Sequence, residues 1–564
     1  MAKKSLFKGL DEPLMHNCHP RPKSRREFLA QGFTTGMGTL VGGSLFGTLA
    51  ASMPANAQLS ADIAQRINDC GITGGNGKVP FIAFDLAGGA NTAGSNVLVG
   101  GPGGQMDFLS TAGYARQGLP GDMVPGATEA GDSETGTSNG DHTDTTLGLA
   151  FHSDSAFLRG ILDKTSVECR ANVNGFVMPS RSENDTGNNP HNPIRGINLA
   201  GAKGDLVYSV ASRNNDVGGG NSRLPNKFMQ STSLVDFDEL RETKVDRRTD
   251  ALGLVQVGTF DGLSAQEVVA VMETVSRMSD LKLDAPGLAG LDAALRERLK
   301  CTYVETAGLA NDYDDPSVLD IAVDPDIVDI FTSGDAGATP GDQLNDREFQ
   351  KTAAVMKLAV GGPSTTVSSY AGAGHISMGG YDYHGQGRGT GEVRDLRAGR
   401  AMGAVLEYAH RQRVPVMIAL YSDGSLSANN QIENGLGRGK FMWQGDNQDT
   451  RCQFCLVYDP EGRPVIKGAT PEEQAVHQQL GYMNPDGNVN TGSSPMANNA
   501  ENGVDCIVLN YMALHGEEAN FASLYANNGI PQNLGSGAQL DRYIAFEKLD
   551  SVGDDGVLTR SSTT

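Results

Sequence analysis

The chain has 564 residues, a formal net charge of −22 and a pI near 4.8, with 38% apolar residues and 73 glycines. That is the composition of a globular protein with ample chain for a large core, and it excludes fibrous and disordered classes. A surface this acidic repels nucleic acid and anionic lipid, so neither is expected as a partner.

The chain opens on a segment outside that core. Residues 24–30, "SRREFLA", place Arg25 and Arg26 ahead of a glycine-rich, mildly apolar run from Phe33 to Leu49, closed by Pro54-Ala55-Asn56-Ala57. The pattern is that of a twin-arginine signal cleaved after Ala57, with the Tat export machinery as partner. The competing reading, a membrane anchor, asks for a longer and less glycine-rich run. Residues 58–564 then form the mature chain, periplasmic or extracellular, without a membrane span and organised as a single domain. Loss of residues 1–57 removes seven Lys/Arg and three Asp/Glu and leaves a net charge of −26. Beyond Cys18 in the signal, six cysteines remain, which in an oxidising compartment allows up to three disulfides without fixing their pairing. Cys452-x-x-Cys455 lacks the second pair of a zinc ribbon and reads as structural thiols or a disulfide.

Short apolar runs predict buried strands at Phe81–Leu86, Val167–Val173, Leu206–Ala211, Leu254–Val257, Thr366–Tyr370, Val414–Tyr421 and Val504–Tyr511. Helical periodicity marks 263–281, 288–304, 345–360 and 391–413. Strands alternating with long helices imply an α/β fold, a mainly parallel sheet with helices on both faces. Residues 118–146 and 425–500 are polar and weakly periodic, which predicts long loop insertions, the first of them a lid or a disordered segment.

In such a sheet ligands bind beyond the carboxyl ends of the strands. Three polar loops occupy such places: "DLAGGANTAGSN" from Asp85, "GGYDYHGQ" from Gly379, and "YSDGSLSANN" from Tyr421. No G-x-S-x-G, Walker A, H-E-x-x-H or dinucleotide fingerprint is present, so no nucleotide cofactor is expected. Asp382 and His384 form the best local pair, since carboxylate and imidazole both bind divalent ions, yet two ligands fall short of the three that a catalytic zinc takes. The plainer alternative is a hydrogen-bonded loop that Asp382 helps to order. His375, seven residues earlier at the same predicted strand end, joins the candidates. His142, His152 and His191 lie in polar loops, where capping or exposed histidines outnumber ligands. The acidic stretches 311–326 and 486–492 miss the EF-hand spacing and read as solvated edges.

The order of motifs carries a resemblance. "SRREFL", Gly88-Gly89-Ala90-Asn91 after a strand, "LAVGGPSTTVSSYAGAGHISMGGYDYHGQ" (358–386), a long helix, "VPVMIALYS" and Ser422-Asp423-Gly424 together resemble the Tat-exported bacterial family called domain of unknown function 1501. That family is grouped with the alkaline-phosphatase-like proteins. The resemblance implies an alkaline-phosphatase-like α/β fold and two divalent ions held by Asp and His at strand ends, while a Ser or Thr attacks a phosphate or sulfate ester. By position it assigns Asp382 and His384 as metal ligands, with Asp423 a further candidate ligand and Ser182 or Thr186 the candidate nucleophile. This chain departs from the family in four places. Asn91 stands where an acid is expected, Glu183 follows Ser182 in place of His, Ser422-Asp423-Gly424 replaces S-E-F-G-R, and no late Asp-His-Gly occurs. Asp85 is the candidate substitute for the first loss, and His515 for the last.

Two expectations follow. The first is an exported metal-dependent hydrolase-like protein acting on phosphate or sulfate esters, its divalent ion (zinc, manganese or calcium) held by Asp382 and His384 with Asp85 or Asn91, Asp423, and His375 or His515. The second is a non-catalytic exported protein that binds or assembles with a partner on the same scaffold after losing the site.

Overall fold

The structure is a computed structural model and describes residues 59–72, 74–131, 133–181, 190–213, 222–229, 242–255, 263–313, 315–362, 368–385, 387–422, 424–446, 449–497 and 499–559. Arg25, Arg26 and Ala57 of the predicted export signal lie outside them. The described residues divide into two compact units, the smaller within Met1–Ile72 and Val257–Asp314, the larger within Thr73–Gln256 and Asp315–Thr564.

The smaller unit consists of the helices Ala61–Asp69, Ala265–Leu283 and Ala293–Asp312. Two of them begin at the caps their sequence announces. Ser264 and Glu267 form a capping box, and the Asp292 carboxylate accepts from the backbone N–H groups of Ala294 and Leu295. Their apolar stripes meet in a separate small core of Ile63, Val269, Met272, Val304, Ala307 and Ala310. A disulfide joins Cys70 to Cys301 across 231 residues of chain, a closure worth about 5 kcal/mol in the chain-entropy picture. The periodic segments 263–281 and 288–304 therefore pack on each other in this unit. Cys169, Cys452, Cys455 and Cys506 are buried thiols.

The larger unit is built on β1 (Phe81–Leu86), β2 (Val173–Ser180), β3 (Val207–Ala211), β4 (Thr243–Lys244), β5 (Ala371–Met378), β6 (Val416–Ser422), β7 (Leu426–Glu433), β8 (Lys440–Asp446) and β9 (Arg451–Tyr458). Seven of these form one sheet in the order β2-β9-β6-β1-β5-β3-β4, while β7 and β8 pair as a separate antiparallel ribbon. Within the large sheet β9 runs antiparallel to both β2 and β6, and the other neighbours are parallel. All six residues of β1, "FIAFDL", are buried, as a central strand covered on both faces requires. On one face Phe81, Ala83, Ala373, Met417 and Ala419 pack with Ile194 and Ile197 of the helix Ile194–Leu199 and with Val504, Ile507 and Val508 of the helix Ala500–Ala513. The helix Arg347–Ala359 packs on β5, and the helix Arg388–Gln412 packs on the helix Ala156–Lys164. That last pair crosses closely, because a Cβ on Gly399 would lie 2.2 Å from the Phe157 carbonyl oxygen. The fold class is α/β with a mostly parallel central sheet, as the alternation of runs predicts.

Three predicted strands are helical instead. Val504–Tyr511 lies inside the helix Ala500–Ala513, which starts at the Asn499 cap. Val167–Val173 splits into the helix Val167–Ala171, capped by Ser166 Oγ, and the first residue of β2. Leu254 and Val255 end the helix Arg248–Val255. A short apolar run buried all round has no period of its own, so only the caps distinguish helix from strand. The opposite error hides β9 in the presumed insertion 425–500. Its eight residues are all buried in the sheet, and Cys452 and Cys455 sit there as core thiols. The 118–146 stretch is tied down rather than loose: Ser138 and Ser153 hydroxyls both donate to the Glu129 carboxylate, and a two-residue ladder joins Thr143–Asp144 to Phe151–His152. Among the described residues no helix is long and apolar enough to cross a membrane.

Candidate functional site

Strand register decides which polar side chains meet. Asp85 of β1 stands opposite Tyr421 of β6, and Ala83, two residues earlier, stands opposite His375 of β5. Since side chains alternate along a strand, Asp85, His375 and Tyr421 project from one face near the carboxyl end of the sheet. His375 Nε2 lies 4.0 Å from Asp85 Oδ2, and both side chains are fully buried. The Tyr421 ring has the His375 ring at 6.5 Å and the His191 ring at 6.4 Å between centroids. His191 comes from the "PHNP" turn, where Asn192 Oδ1 accepts from Ile194 N and starts the helix Ile194–Leu199. Ser222 N donates to Asp85 Oδ1 at 3.4 Å.

Among the described residues, both ring nitrogens of His191 and of His375, Tyr421 Oη and Ser222 Oγ are buried without a hydrogen-bond partner. Each such group costs about 1–3 kcal/mol, and proteins leave few of them unmatched. Burial lowers the pKa of His375 to about 3, with the positive charges of Arg213 and Lys351 adding to it. Burial likewise holds His191 well below its ordinary value, helped by Arg451, and pushes the Tyr421 phenol well up, helped by Asp85. At neutral pH the cluster therefore presents two neutral imidazoles and a protonated phenol beside a carboxyl group. Arg451, itself fully buried, donates to Ser180 Oγ at 3.3 Å and to the Arg181 carbonyl at 3.4 Å.

The residues that the sequence singles out fall in three places. Asp85 and His375 come together, as described. Asp382 and His384 lie in the loop after β5 with their side chains 62% and 38% exposed, and they face each other at 2.7 Å between Oδ1 and Nδ1. The buried members of "GGYDYH" are its tyrosines: Tyr383 Oη accepts from Asn91 N at 2.6 Å and donates to Asp395 Oδ1 at 2.8 Å. The block thus locks the loop after β1 to the loop after β5. Gly88 closes that contact at φ +110°, where a Cβ would lie 2.4 Å from Asp382 Cβ. Asn91 is a loop-forming residue, its amide donating to Ser95 Oγ at 2.6 Å. His515 is a core histidine at the opposite end of β1: Nε2 accepts from Val79 N at 3.0 Å and Nδ1 donates to the Tyr511 carbonyl at 2.7 Å, so neither nitrogen is open to a metal. Ser182, Thr186 and Asp423 lie outside the described residues.

Among the described residues no group of three or more His, Cys, Asp and Glu is placed to hold a metal ion. Asp85 and His375 could offer at most two ligands, one fewer than a catalytic zinc takes from protein. The acidic stretch 311–326 is occupied by ion pairs, Asp320 with Arg248 and Asp324 with Lys357. His191, Tyr421 and Ser222 are absent from the sequence-based site. Tyr421 closes a predicted strand and His191 sits in a predicted polar loop, but nothing local links them; only the register of β1 with β5 and β6 does.

The larger unit is thus an α/β protein with a buried polar cluster near the carboxyl ends of its central strands. Compared with known protein families, curated proteins and solved structures, the chain matches none.

Proposed function

We propose that the protein is an exported hydrolase-like enzyme of alkaline-phosphatase-like type that acts on a phosphate or sulfate ester, with its reacting centre at Asp85 and His375 rather than at Asp382 and His384. The observation that carries this reading is the fully buried Asp85–His375 pair at 4.0 Å on the central strands. Support comes from its position, since open α/β sheets bind ligands beyond strand carboxyl ends. A divalent ion, when bound, supplies positive charge that polarises the ester oxygens. Asp85 and His375 would hold it, the carboxyl group matching its charge and the neutral imidazole offering a lone pair. Asp423, a further candidate ligand from the sequence, is the residue to test alongside them. The burial around the pair excludes competing solvent.

The second reading, a non-catalytic binding or assembly protein, is favoured by the lack of a three-ligand group among the described residues. Metal analysis of the purified folded chain, together with turnover of chromogenic phosphate and sulfate esters, separates the two. The hydrolase reading expects about one equivalent of zinc, manganese or calcium, lost in Asp85→Asn and in His375→Gln and retained in the Asp382→Asn/His384→Gln double variant. Less than about a tenth of an equivalent after metal addition, with no turnover, would assign the binding role.

A further inference from the structure

Tyr421 stands beside the Asp85–His375 pair, and His191 stands beside Tyr421. Their geometry points to a dedicated subsite: Tyr421 Oη and His191 grip the oxyanion head of the ester and hold it against Asp85 and His375. This assignment rests on the ester-processing reading of the same site.

Three observations converge on it. First, Tyr421 is placed by β-strand register and not by a loop, directly across from Asp85, and its ring has those of His375 and His191 at 6.5 and 6.4 Å between centroids. A group held that rigidly is suited to positioning a substrate atom. Second, Tyr421 Oη, both nitrogens of His191 and Ser222 Oγ are buried and without hydrogen-bond partners among the described residues. Each side chain can offer one N–H or O–H, and a tetrahedral oxyanion is an acceptor for all of them. A core arranged for stability alone would pair these groups or replace them by apolar ones, because their desolvation goes uncompensated. Third, cationic side chains lie near these groups. Arg451 is fully buried and close enough to His191 to oppose its protonation, and Arg213 acts in the same way on His375. Glu242, the other carboxylate near Tyr421, is matched to Arg195 at 3.4 Å. A buried anion needs such positive charge beside it, which a neutral sugar hydroxyl would not.

The test uses the full folded chain, inorganic phosphate and sulfate as probes, and myo-inositol as a neutral control, with binding read by calorimetry and stability by thermal melting. Tyr421→Phe keeps the ring and removes only the unpartnered oxygen. It is expected to leave the ligand-free melting temperature unchanged or raised, and to weaken phosphate or sulfate binding about tenfold. His191→Gln is expected to weaken the same binding by a similar factor. The assignment is overturned if Tyr421→Phe binds the oxyanion as tightly as the unsubstituted chain, if it melts several degrees lower, or if the unsubstituted chain prefers myo-inositol or binds no probe. Failure of the hydrolase reading looks different: weakened phosphate binding in Tyr421→Phe with no ester turnover by the unsubstituted chain keeps the subsite and removes the enzyme.

Discussion

Two Asp/His pairs in this protein differ in almost every physical respect. Asp382 and His384 are two residues apart in the chain, exposed, and in contact at 2.7 Å. Asp85 and His375 are 290 residues apart, fully buried, and 4.0 Å apart, with the imidazole nitrogens unpartnered among the described residues. An exposed pair contributes about 0–1 kcal/mol and can be lost or gained at little cost. A buried imidazole without partners works against folding, so its retention asks for another reason, and ligand binding is the one that its neighbours support. Proximity in sequence therefore pointed to the pair that orders a loop, whereas the candidate reacting pair is assembled by strand register.

The sharpest way to break this comparison is at the contact between the two loops. Gly88→Ala puts a Cβ into Asp382 at a backbone angle that L residues avoid, and is expected to cost about 3 kcal/mol in denaturant unfolding. A cost below about 0.5 kcal/mol would show that the "GGAN" and "GGYDYH" loops do not meet as described.

Next in size is a pH effect confined to the buried pair. With its folded pKa lowered to about 3, His375 is neutral in the native state while its unfolded counterpart binds a proton below about 6.5. The unfolded chain thus binds more protons between those values, and the stability from this group is full above about 6.5 and falls as the pH drops toward 3. Relative to neutral pH, the loss at pH 5 is about 2 kcal/mol. His375→Gln is expected to flatten that part of the stability profile, and a profile as steep as that of the unsubstituted chain would remove His375 from the account. Asp395 slopes the other way. Burial raises its pKa to about 8, so its contribution is greatest in acid and declines as pH rises from about 4 to 8, and Asp395→Asn should flatten that alkaline decline.

The smallest effect belongs to the exposed pair. Asp382→Asn is expected to change stability by no more than about 0.5 kcal/mol and to leave ester turnover and metal content unchanged. A drop in turnover of about tenfold or more would return the reacting centre to this loop.

Several features of the fold are plain in local sequence. β1 is a bounded apolar run of six, the helix Ala265–Leu283 starts at a Ser-x-x-Glu box, and the helix Arg388–Gln412 keeps a long apolar period. Others are not. Ala500–Ala513 is buried on all sides and so shows the same apolar run as a core strand, and β9 hides among polar neighbours because its identity comes from lying between β2 and β6. The candidate site divides along the same line. Asp85 and His375 were nominated from their strand-end positions, but Tyr421, His191 and Ser222 carry no local mark of function.

By itself the sequence determined the α/β class, the placement of four of the longer helices and the idea that polar chemistry sits where strands end, because those depend on periodicity and caps within a dozen residues. Tertiary structure alone decided that Cys70 joins Cys301, that His515 is spent on backbone groups, and that Asp85 meets His375 and Tyr421. The reason is physical: register and burial are properties of segments brought together across hundreds of residues, and burial leaves the polar atoms of His191, His375 and Tyr421 without partners among the described residues while Asp382 and His384 meet each other in a loop.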